Sequence, residues 1–455
     1  MKRLTLMMLL AAQMMTMAAQ TAREEIEANK YLAGSNYLDY DRQMTTKALT
    51  PAPKGYTPFY MSHYGRHGSR WLISKDAYTS VVEPMQKAKA QGKLTTKGEE
   101  VLQQLESFVR LPVPNFPALG GKYEGAQLRL GDLSTVGERQ HHGIAKRMAQ
   151  NFPEIFKAKD VAIDARSTVV VRCILSMVAE CEELMAANPT ARIHNDASEA
   201  LQYYMNAPRQ GLIRAMREKS RDTKRQFGAL IKPDRLMRVL FNDQQWVNDS
   251  VKATDLMSQL FEITTNMQSH DVNIDLYPLF TMDELYDQWR TRNIRWYIDY
   301  GPAPQTGGVM PFSQKNLLRN IIETADTVTQ TQATLRFGHE VCVMPLACLL
   351  ELDQCGVAVN DLNELDKYWR NYKIYPMGCN IQLIFYRPEK TGSSRLSPAN
   401  SKDILVKALL NERECTLPIP TTQYPYYNWS ELRQYYLNKL DAFDAREAAT
   451  KESDS

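Results

Sequence analysis

A histidine between two arginines gives this sequence its clearest potential for chemistry. Residues 66–70 read Arg-His-Gly-Ser-Arg and follow the apolar residues 59–62. The imidazole of His67 can attack an electrophile, while the guanidinium groups of Arg66 and Arg70 hold an anion in line with it. The electrophile that suits a nucleophile between two cations is a phosphoryl group. The alternative interpretation is a surface turn with a solvated cluster of charges.

A second candidate group follows a strand-like segment further along the chain. Residues 333–337 read Ala-Thr-Leu-Arg-Phe and are followed by Gly338, His339 and Glu340. An imidazole next to a carboxylate at a strand end can donate a hydrogen bond to an anion and transfer a proton. For His339 alone, the alternative is a core histidine with its hydrogen bonds satisfied.

The segments around these residues indicate the elements that position them. Apolar runs and alternation predict strands over four segments: 59–62, 161–165, 333–337 and 380–386. The helical pattern predicts helices over four further segments: 133–147, 166–177, 341–350 and 429–443. The first of these starts with a Ser/Thr cap. A strand that leads directly into a helix presents free backbone N–H groups, which favour an anion.

Composition and texture predict an α/β protein. A hydrophobic content of 44% and a charged content of 24% are typical of a soluble globular chain with a sizeable core. Residues 186–320 are helix-rich with aromatic anchors, whereas the flanking parts mix strands and helices. We therefore expect a central, mostly parallel sheet flanked by helices, formed by residues 21–185 and 321–455, with residues 186–320 as an inserted, mainly α-helical domain.

The first 20 residues are typical of a signal peptide. Lys2 and Arg3 precede an apolar stretch that ends at small residues, and this stretch is short for a membrane span. We expect an exported protein, periplasmic in a Gram-negative cell, without a stable membrane span.

The charge balance argues against a polyanionic partner such as nucleic acid. Residues 21–455 have a net charge of only +1, so any specificity for anions must come from a local pocket. The expected partner is a small phosphorylated molecule that binds in this pocket. Residues 214–238 are locally basic. They are interpreted either as a solvated helix face or as a basic wall over a polyanion site.

The cysteines and histidines do not indicate a metal site. No Cys-x-x-Cys pair occurs, and the adjacent His141 and His142 are expected at the surface. His63 is interpreted as a structural residue. The odd number of cysteines leaves at least one thiol without an intramolecular partner, and a pair on one helix eight residues apart is too far apart to bridge. The seven cysteines are Cys173, Cys181, Cys342, Cys348, Cys355, Cys379 and Cys415.

These motifs together resemble the histidine acid phosphatase family, branch 2 of the histidine phosphatases, and most closely its multiple inositol polyphosphate phosphatase and phytase group. Residues 66–70 are similar to the nucleophile motif, and residues 337–340 to the second catalytic motif. Residues 166–172, which start at Arg166 and end at Arg172, look like the segment with the third phosphate-binding arginine. Residues 380–387 resemble a C-terminal strand of the same group.

The resemblance implies a role for each matching residue. His67 would attack phosphorus and form a phosphohistidine, with its second ring nitrogen held by an acceptor such as a backbone carbonyl. The third arginine is assigned to Arg166, which would bind the phosphate oxygens together with Arg66 and Arg70. His339 would donate to the same phosphate, and Glu340 would protonate the leaving group. No metal or other cofactor is implied, because the arginines neutralise the charge.

One position departs from the family pattern. Many members have Asp directly after this histidine, and the inositol polyphosphate phosphatases have Glu two positions after it. This chain has Glu340 directly after His339.

The function implied is metal-independent hydrolysis of phosphomonoesters, with inositol polyphosphates such as phytate as substrates. The alternatives are a periplasmic sugar-phosphatase or broad acid phosphatase and, in a different class, an exported anion-binding protein with a degenerate site.

Overall fold

The computed structural model of the chain describes residues 20–43, 48–110, 129–206, 211–389 and 402–453. Its strands are β1 (Tyr56–Arg66), β2 (Ala162–Ser167), β3 (Arg192–Asp196), β4 (Thr331–Gly338), β5 (Asn380–Pro388), β6 (Leu405–Leu410), β7 (Arg413–Cys415) and β8 (Tyr427–Asn428). Its α-helices are α1 (Ala22–Ala28), α2 (Tyr40–Gln43), α3 (Asp76–Ala90), α4 (Thr96–Val109), α5 (Thr135–Asn151), α6 (Pro153–Phe156), α7 (Val171–Ala187), α8 (Gln202–Met205), α9 (Gly211–Lys219), α10 (Arg221–Gln226), α11 (Asp234–Leu240), α12 (Gln244–Ser250), α13 (Ala253–Asn266), α14 (Met282–Tyr300), α15 (Lys315–Thr327), α16 (Glu340–Leu349), α17 (Leu365–Tyr368) and α18 (Trp429–Ser453).

The strands form one mixed sheet in the order β3-β2-β4-β1-β5-β6-β7, with β8 paired to β6. The strands β3, β2, β4 and β1 are mutually parallel, whereas β5, β6, β7 and β8 pair antiparallel. The expected α/β fold is confirmed, but the sheet is mixed where a mostly parallel one was expected, because three of the seven strand pairings in the described residues are parallel and four are antiparallel. Its parallel half places the carboxyl ends of β1, β2 and β4 at one edge of the sheet, where α/β proteins bind ligands.

The predicted strands lie where the sequence placed them; three of them are extended, and the one predicted over 161–165 is shifted to Ala162–Ser167. The nucleophile strand reaches from Tyr56 to Arg66, so Arg66 is its last residue. The helix predicted over 166–177 was wrong at its start. Arg166 and Ser167 still pair with β4, and the helix begins only at Val171. The backbone pairing with a buried central strand continues through these two residues and delays the turn.

Helices cover both faces of the sheet. Tyr60, Tyr64 and Phe385 on one face pack against α15, α16 and α18. Met61 and Leu335 on the other face pack against α5, α6 and α7. The entry to α5 follows its predicted cap, because the Ser134 side chain accepts from the backbone N–H of Gly137. Two apolar layers therefore cover the faces of the central strands, whereas the edge strand β3 and the strand ends are accessible.

A separate helical core lies beside the sheet. It joins α1, α3 and α4 to α11, α13 and the first part of α14. The domain boundaries at 185 and 320 stay a prediction. The structure places β3, inside residues 186–320, at the edge of the main sheet, and α3 and α4, outside that range, in the helical core.

Two expectations concern the N-terminus and the membrane. Residues 1–19, which carry nearly all of the predicted signal peptide, lie outside the described residues. Across the ranges that the structure describes, no helix is both long and apolar enough to cross a bilayer. All seven cysteines are buried and free of disulfides, and Cys173 and Cys181 share the helix α7, the arrangement in which their spacing prevents a bridge.

Candidate active site

The nucleophile loop starts where the two central parallel strands end side by side. Arg66 is in register with Gly338 of β4, and the N–H of His67 donates to the carbonyl of Gly338 at 2.9 Å. The N–H of Arg66 donates on the other side to the carbonyl of Cys379, just before β5, at 2.8 Å. The sheet backbone thus fixes the start of the loop from both sides.

His67 is fully buried and held in one tautomer. Its Nδ1 lies 2.8 Å from the carbonyl oxygen of Gly68 and donates to it, as the sequence predicted for the second ring nitrogen. Its Nε2 has no hydrogen-bond partner. Burial, together with Arg66, Arg172 and Arg70, lowers the pKa of His67 well below its usual value, so the ring is neutral. The Nε2 lone pair is therefore free for a reaction.

Arg66 is completely buried and points into the site. One terminal nitrogen donates to the carbonyl of Asn36 at 2.6 Å and to that of Tyr375 at 3.2 Å. Its Nε lies 3.1 Å from Oε2 of Glu340, and its other terminal nitrogen has no partner. A buried guanidinium with an uncommitted N–H group is a ready anion donor.

Arg70 closes the other side of the loop. It is buried, donates to its neighbouring carbonyl of Trp71 at 2.9 Å, and lies over the ring of Tyr37 at 5.5 Å. Its Nε has no partner. Nearby Tyr37 and Glu340 outweigh the effect of burial and raise the pKa of Arg70, so its charge is permanent.

The structure does not bring Arg166 to the nucleophile. On β2 its side chain shares a face with Asp164, and its guanidinium pairs with that carboxylate and with the hydroxyl of Tyr204 at 3.0 Å. The group lines a surface groove with His194 at the edge of the sheet. The alternation of a strand explains this placement, since residues i and i+2 point to the same side.

Arg172 occupies the position expected of Arg166. It lies in the first turn of α7, six residues further along the same segment, and acts on the pKa values of His67 and His339. Within the part of the chain that the structure describes, its guanidinium group makes a long hydrogen bond of 3.4 Å to the carbonyl of Gly131, and its Nε has no partner. Of the two arginines in the segment that the sequence indicated, the structure thus places Arg172 near His67 and pairs Arg166 with Asp164.

His339 and Glu340 meet the nucleophile from the end of β4. The rings of His67 and His339 have their centroids 5.5 Å apart, and Oε2 of Glu340 lies 3.7 Å from Nε2 of His67. Burial and the arginines outweigh Glu340 and lower the pKa of His339 to about 4. His339 also contacts Thr168 and Cys173.

Glu340 is ionised in this site. Burial alone would raise the pKa of its carboxyl group, but Arg66, Arg70 and His339 outweigh burial and lower that pKa to about 2. The placement directly after His339 therefore still brings the carboxylate to the nucleophile, because it opens α16 at the strand end.

Two sets of side chains in the site suggest different ligands. One set has the atom types that bind metals, and the other consists of arginines, which bind anions. Ligand atoms of His67, His339 and Glu340 lie within 4.8 Å of one another. The charges of Arg66, Arg70 and Arg172 surround the same space and would repel a dication, whereas they attract a phosphate. The electrostatics favour an anion.

Two histidines behind the loop are buried. His63 lies beneath the sheet end with both ring nitrogens unpartnered, and burial lowers its pKa to about 3. The expectation that His141 is exposed was wrong. It is fully buried, with Nδ1 2.7 Å from the carboxylate of Glu180 on α7. His142, with a third of its side chain exposed, is at the surface.

The basic segment 214–238 divides into two parts. Arg217 and Lys224 converge on the buried carboxylate of Asp299, and the guanidinium of Arg217 lies 5.3 Å from the ring centre of Tyr300. Tyr300 is close enough to Glu340 for that carboxylate to raise the tyrosine's pKa. Other cations of the segment, such as Arg214, are exposed. One part thus adjoins the active site, and the other is a solvated face.

Comparison with known structures places the fold. The crystal structure of the Bifidobacterium longum multiple inositol polyphosphate phosphatase in complex with inositol hexasulfate matches with a TM-score of 0.64 at 17% identity, covering 89% of this chain and 97% of that chain. The phytase from D. castellii matches with a TM-score of 0.62 at 12% identity, covering 94% of this chain and 89% of that chain. No curated protein matches the sequence.

The sequence itself matches a family. The match to the histidine phosphatase superfamily (branch 2) extends over residues 65–411, which begin directly before the nucleophile loop and include His67, the arginines around it, His339 and Glu340. Fold, site and sequence agree on an enzyme that hydrolyses phosphomonoesters. The chain therefore belongs to branch 2 of the histidine phosphatase superfamily and is of the histidine acid phosphatase type.

Proposed function

We propose that this enzyme dephosphorylates inositol polyphosphates such as phytate through a phosphohistidine on His67. One observation carries the reaction: Nε2 of His67 is buried without a partner and is surrounded by Arg66, Arg70 and Arg172, with the carboxylate of Glu340 3.7 Å away. A neutral nucleophile, a cationic clamp and a proton-transfer group in one pocket are what phosphoryl transfer requires.

The first step transfers the phosphoryl group to the histidine. The Nε2 lone pair of His67 forms a bond to phosphorus as the bond from phosphorus to the ester oxygen breaks. The three guanidinium groups and His339 hold the equatorial oxygens, on which charge must be stabilised in the transition state. The Gly68 carbonyl keeps the proton on Nδ1 and stabilises the ring as it becomes positively charged.

The departing alkoxide must receive a proton, and we assign its delivery to Glu340. In the empty site this carboxyl group is ionised, with a pKa of about 2. A phosphomonoester monoanion carries one proton of its own, and its oxygens compete with Glu340 for the charge of Arg66. We infer that the substrate proton passes to Glu340 and from there to the leaving oxygen.

The second step returns the enzyme to its starting state. Glu340 is again a carboxylate after the first step and accepts a proton from water, whose oxygen attacks phosphorus as the bond to Nε2 breaks. Inorganic phosphate leaves, and the proton held by Glu340 leaves with it. The same carboxyl group acts as an acid and then as a base.

The choice of inositol polyphosphates rests on charge near the site and on the structural relatives. Arg217 and Lys224 bring two cations against the single carboxylate of Asp299, beside Tyr300. This surplus of positive charge suits a substrate with further phosphates around the one that reacts, which a sugar monophosphate lacks. A structural relative binds inositol hexasulfate, a sulfated analogue of such a substrate.

Competing substrates test this choice. Purified enzyme is assayed with phytate, glucose 1-phosphate and a chromogenic phosphate ester, and the inositol phosphate isomers are resolved over a phytate time course. We expect the highest kcat/KM for phytate, and a loss of this preference in Arg217→Ala. A preference for glucose 1-phosphate would identify the enzyme as a sugar-phosphatase, and equal rates as a broad acid phosphatase.

A separate experiment tests the reaction itself. An acid quench after incubation with radiolabelled substrate should trap phosphate on the wild-type protein and none on His67→Ala. Binding of phosphate without hydrolysis by the wild type would instead indicate an anion-binding protein with a degenerate site. Treatment with EDTA should leave the activity unchanged, because the arginines supply the positive charge.

We also propose that the protein is exported after removal of residues 1–20, because a basic start and a short apolar stretch precede small residues there. Expression of the full chain in a Gram-negative host, followed by osmotic shock and mass spectrometry of the released protein, tests this. We expect a mature N-terminus near residue 21 in the periplasmic fraction. Retention of residue 1 in the cytoplasmic fraction would overturn the proposal.

A further inference from the structure

The backbone N–H groups of the nucleophile loop are already committed to other parts of the protein. The N–H of Gly68 donates to the hydroxyl of Ser176 on α7 at 3.1 Å, and that of Ser69 donates to Oε1 of Gln140 at 2.8 Å. With the bond from His67 to Gly338, three successive N–H groups point away from the phosphate space. Side chains, and above all Gln140, therefore determine the shape of this loop.

Gln140 uses both ends of its amide group. It is fully buried on α5, where its Oε1 accepts from the N–H of Ser69. Its Nε2 donates to the hydroxyl of Ser69 at 3.0 Å and to a carboxylate oxygen of Asp39 at 2.7 Å. A neutral amide in this place can accept from the backbone and donate to a carboxylate at the same time, whereas an ionised carboxylate can only accept.

The helix that carries Gln140 approaches the loop without room for adjustment. A Cβ on Gly68 would lie 2.4 Å from the carbonyl oxygen of Gly137, and the cap residue Ser134 donates to the carbonyl of Ser69 through both its N–H, at 2.9 Å, and its hydroxyl, at 3.0 Å. Gln140 lies one turn after Gly137, directly beneath Ser69. The loop is thus bonded on one side by the start of α5 and on the other by α7.

We propose that Gln140 is a positioning residue that sets the mutual placement of His67 and Arg70 by holding Ser69 between them. The proposal rests on the proposed function of His67 as the nucleophile. In this proposal, Gln140 determines the distance between Nε2 of His67, which attacks phosphorus, and the guanidinium group of Arg70, which binds the phosphate. Misplacement of a reacting group by about 1 Å can lower a rate about 100-fold, so the bond to Ser69 should be visible in catalysis.

The carboxylate of Asp39 provides a distinctive test of this role. In Gln140→Glu an ionised carboxylate would face the carboxylate of Asp39. Asp39 would then lack the N–H donor that Gln140 provides in the wild type. Once protonated, the new carboxyl group again has one acceptor for the Ser69 N–H and one donor for Asp39. The charged neighbours of this pair include Arg42, whose Nε lies 3.7 Å from Asp39, Asp41, and Arg139 on the same helix as Gln140. Two facing carboxyl groups hold a shared proton to higher pH than a single one does.

We therefore expect activity of Gln140→Glu to recover as the pH falls. Its kcat relative to wild type should be about 10- to 100-fold reduced at pH 7, as expected for a misplaced reacting group, and should rise at least about tenfold towards pH 4. Gln140→Met, which has a similar shape and neither polar group, should show the same loss without recovery. In both variants kcat should change more than KM, and rapid-quench measurements should show slower phosphohistidine formation.

Controls separate this role from general folding. Gln288→Met removes another buried amide, on α14 and outside the nucleophile loop, and should keep wild-type kcat. Thermal unfolding and circular dichroism report whether each variant is folded. A ratio of Gln140→Glu to wild-type kcat that does not change with pH, or full activity and normal phosphohistidine formation in Gln140→Met, would overturn the proposal. Failure of the proposed function would instead appear in the wild type, as the absence of trapped phosphate.

Discussion

Nε of Arg66 lies 3.1 Å from Oε2 of Glu340, and the two side chains form an ion pair inside the active site. The arginine belongs to the phosphate clamp and the carboxylate to the proton transfer, so the two functions are coupled. A phosphate that binds Arg66 withdraws positive charge from Glu340 and makes its protonation easier. Glu340 is therefore ionised before substrate binds and can take up a proton once a phosphate contacts Arg66.

The first prediction concerns the pH dependence that follows from this coupling. Glu340, with a pKa of about 2, carries no proton in the free enzyme between pH 4 and 8, so the proton must come with the substrate. We expect kcat/KM to fall about tenfold per pH unit above about pH 6, where the second proton of a phosphate monoester dissociates. Steady-state kinetics with an alkyl phosphate measure this decrease in kcat/KM, the alkaline limb of the pH profile.

Two substrates distinguish the source of the limb. A thiophosphate ester, which loses its second proton at lower pH, should move the limb to lower pH, whereas a limb that stays in place would belong to the enzyme. Glu340→Gln should reduce kcat for an alkyl phosphate by about 10²- to 10⁴-fold. With p-nitrophenyl phosphate, whose leaving group needs no proton, it should release one equivalent of nitrophenol rapidly and then turn over slowly.

Arg172 and Arg166 provide a matched pair for the second prediction. Arg172→Ala removes a guanidinium beside His67 and should lower kcat/KM by about 10²- to 10³-fold, the usual effect of losing a donor to developing charge. Arg166→Ala breaks the pair with Asp164 and should lower stability with little change in kcat/KM. The reverse order of effects in a kinetic comparison would restore the original assignment of Arg166.

The third prediction concerns the contact between Gly68 and Gly137. A methyl group on Gly68 would lie 2.4 Å from a backbone oxygen, which no side-chain movement can relieve. Gly68→Ala should therefore lower the free energy of unfolding by about 1–3 kcal/mol and abolish most activity. Gly228→Ala, whose Cβ would meet no atom within 4 Å, is the control and should remain within about 0.5 kcal/mol of wild type. Urea unfolding measures both.

The fourth prediction concerns stability at acid pH. His270 is partly buried between Trp71 and Phe108, with ring centroids 4.3 and 5.3 Å away, and loss of contact with water lowers its pKa from 6.5 to about 3. The unfolded chain binds this proton more tightly, so the native state loses about 1.4 kcal/mol per pH unit as the pH falls from about 6.5 towards 3.

The variant His270→Leu should not show this loss. The free energy of unfolding of the variant, taken relative to that of wild type, should rise by about 2 kcal/mol between pH 7 and pH 5. Urea unfolding at both pH values measures this difference. An equal change in the two proteins would show that His270 does not contribute to the pH dependence.

Local pattern was sufficient to predict most of the frame of the site. The apolar run before Arg66 and the strand before His339 are both present, because a buried strand imposes its alternation on the sequence. The tautomer of His67 was also predicted, since a neutral nucleophilic imidazole needs an acceptor on its other nitrogen.

The errors came from contacts between distant segments. His141 is buried because Glu180 reaches it from α7, and no local pattern contains that pairing. Gln140 was not identified, because its partners Ser69 and Asp39 lie about 70 and 100 residues away. The choice between Arg166 and Arg172 could have been made from the sequence, because Asp164 lies two residues before Arg166 on the same strand.

The parallel pairing of β1 with β4 has a consequence for sequence divergence. His67 and His339 each follow the last residue of one of these strands, and the register pairs Arg66 with Gly338. The backbone hydrogen bonds between β1 and β4 therefore fix the distance between His67 and His339, and the identity of the surrounding side chains affects it little. Core residues can therefore drift extensively while the reacting groups of this chain stay aligned, and the fold itself is shared with a structural relative at only 17% identity.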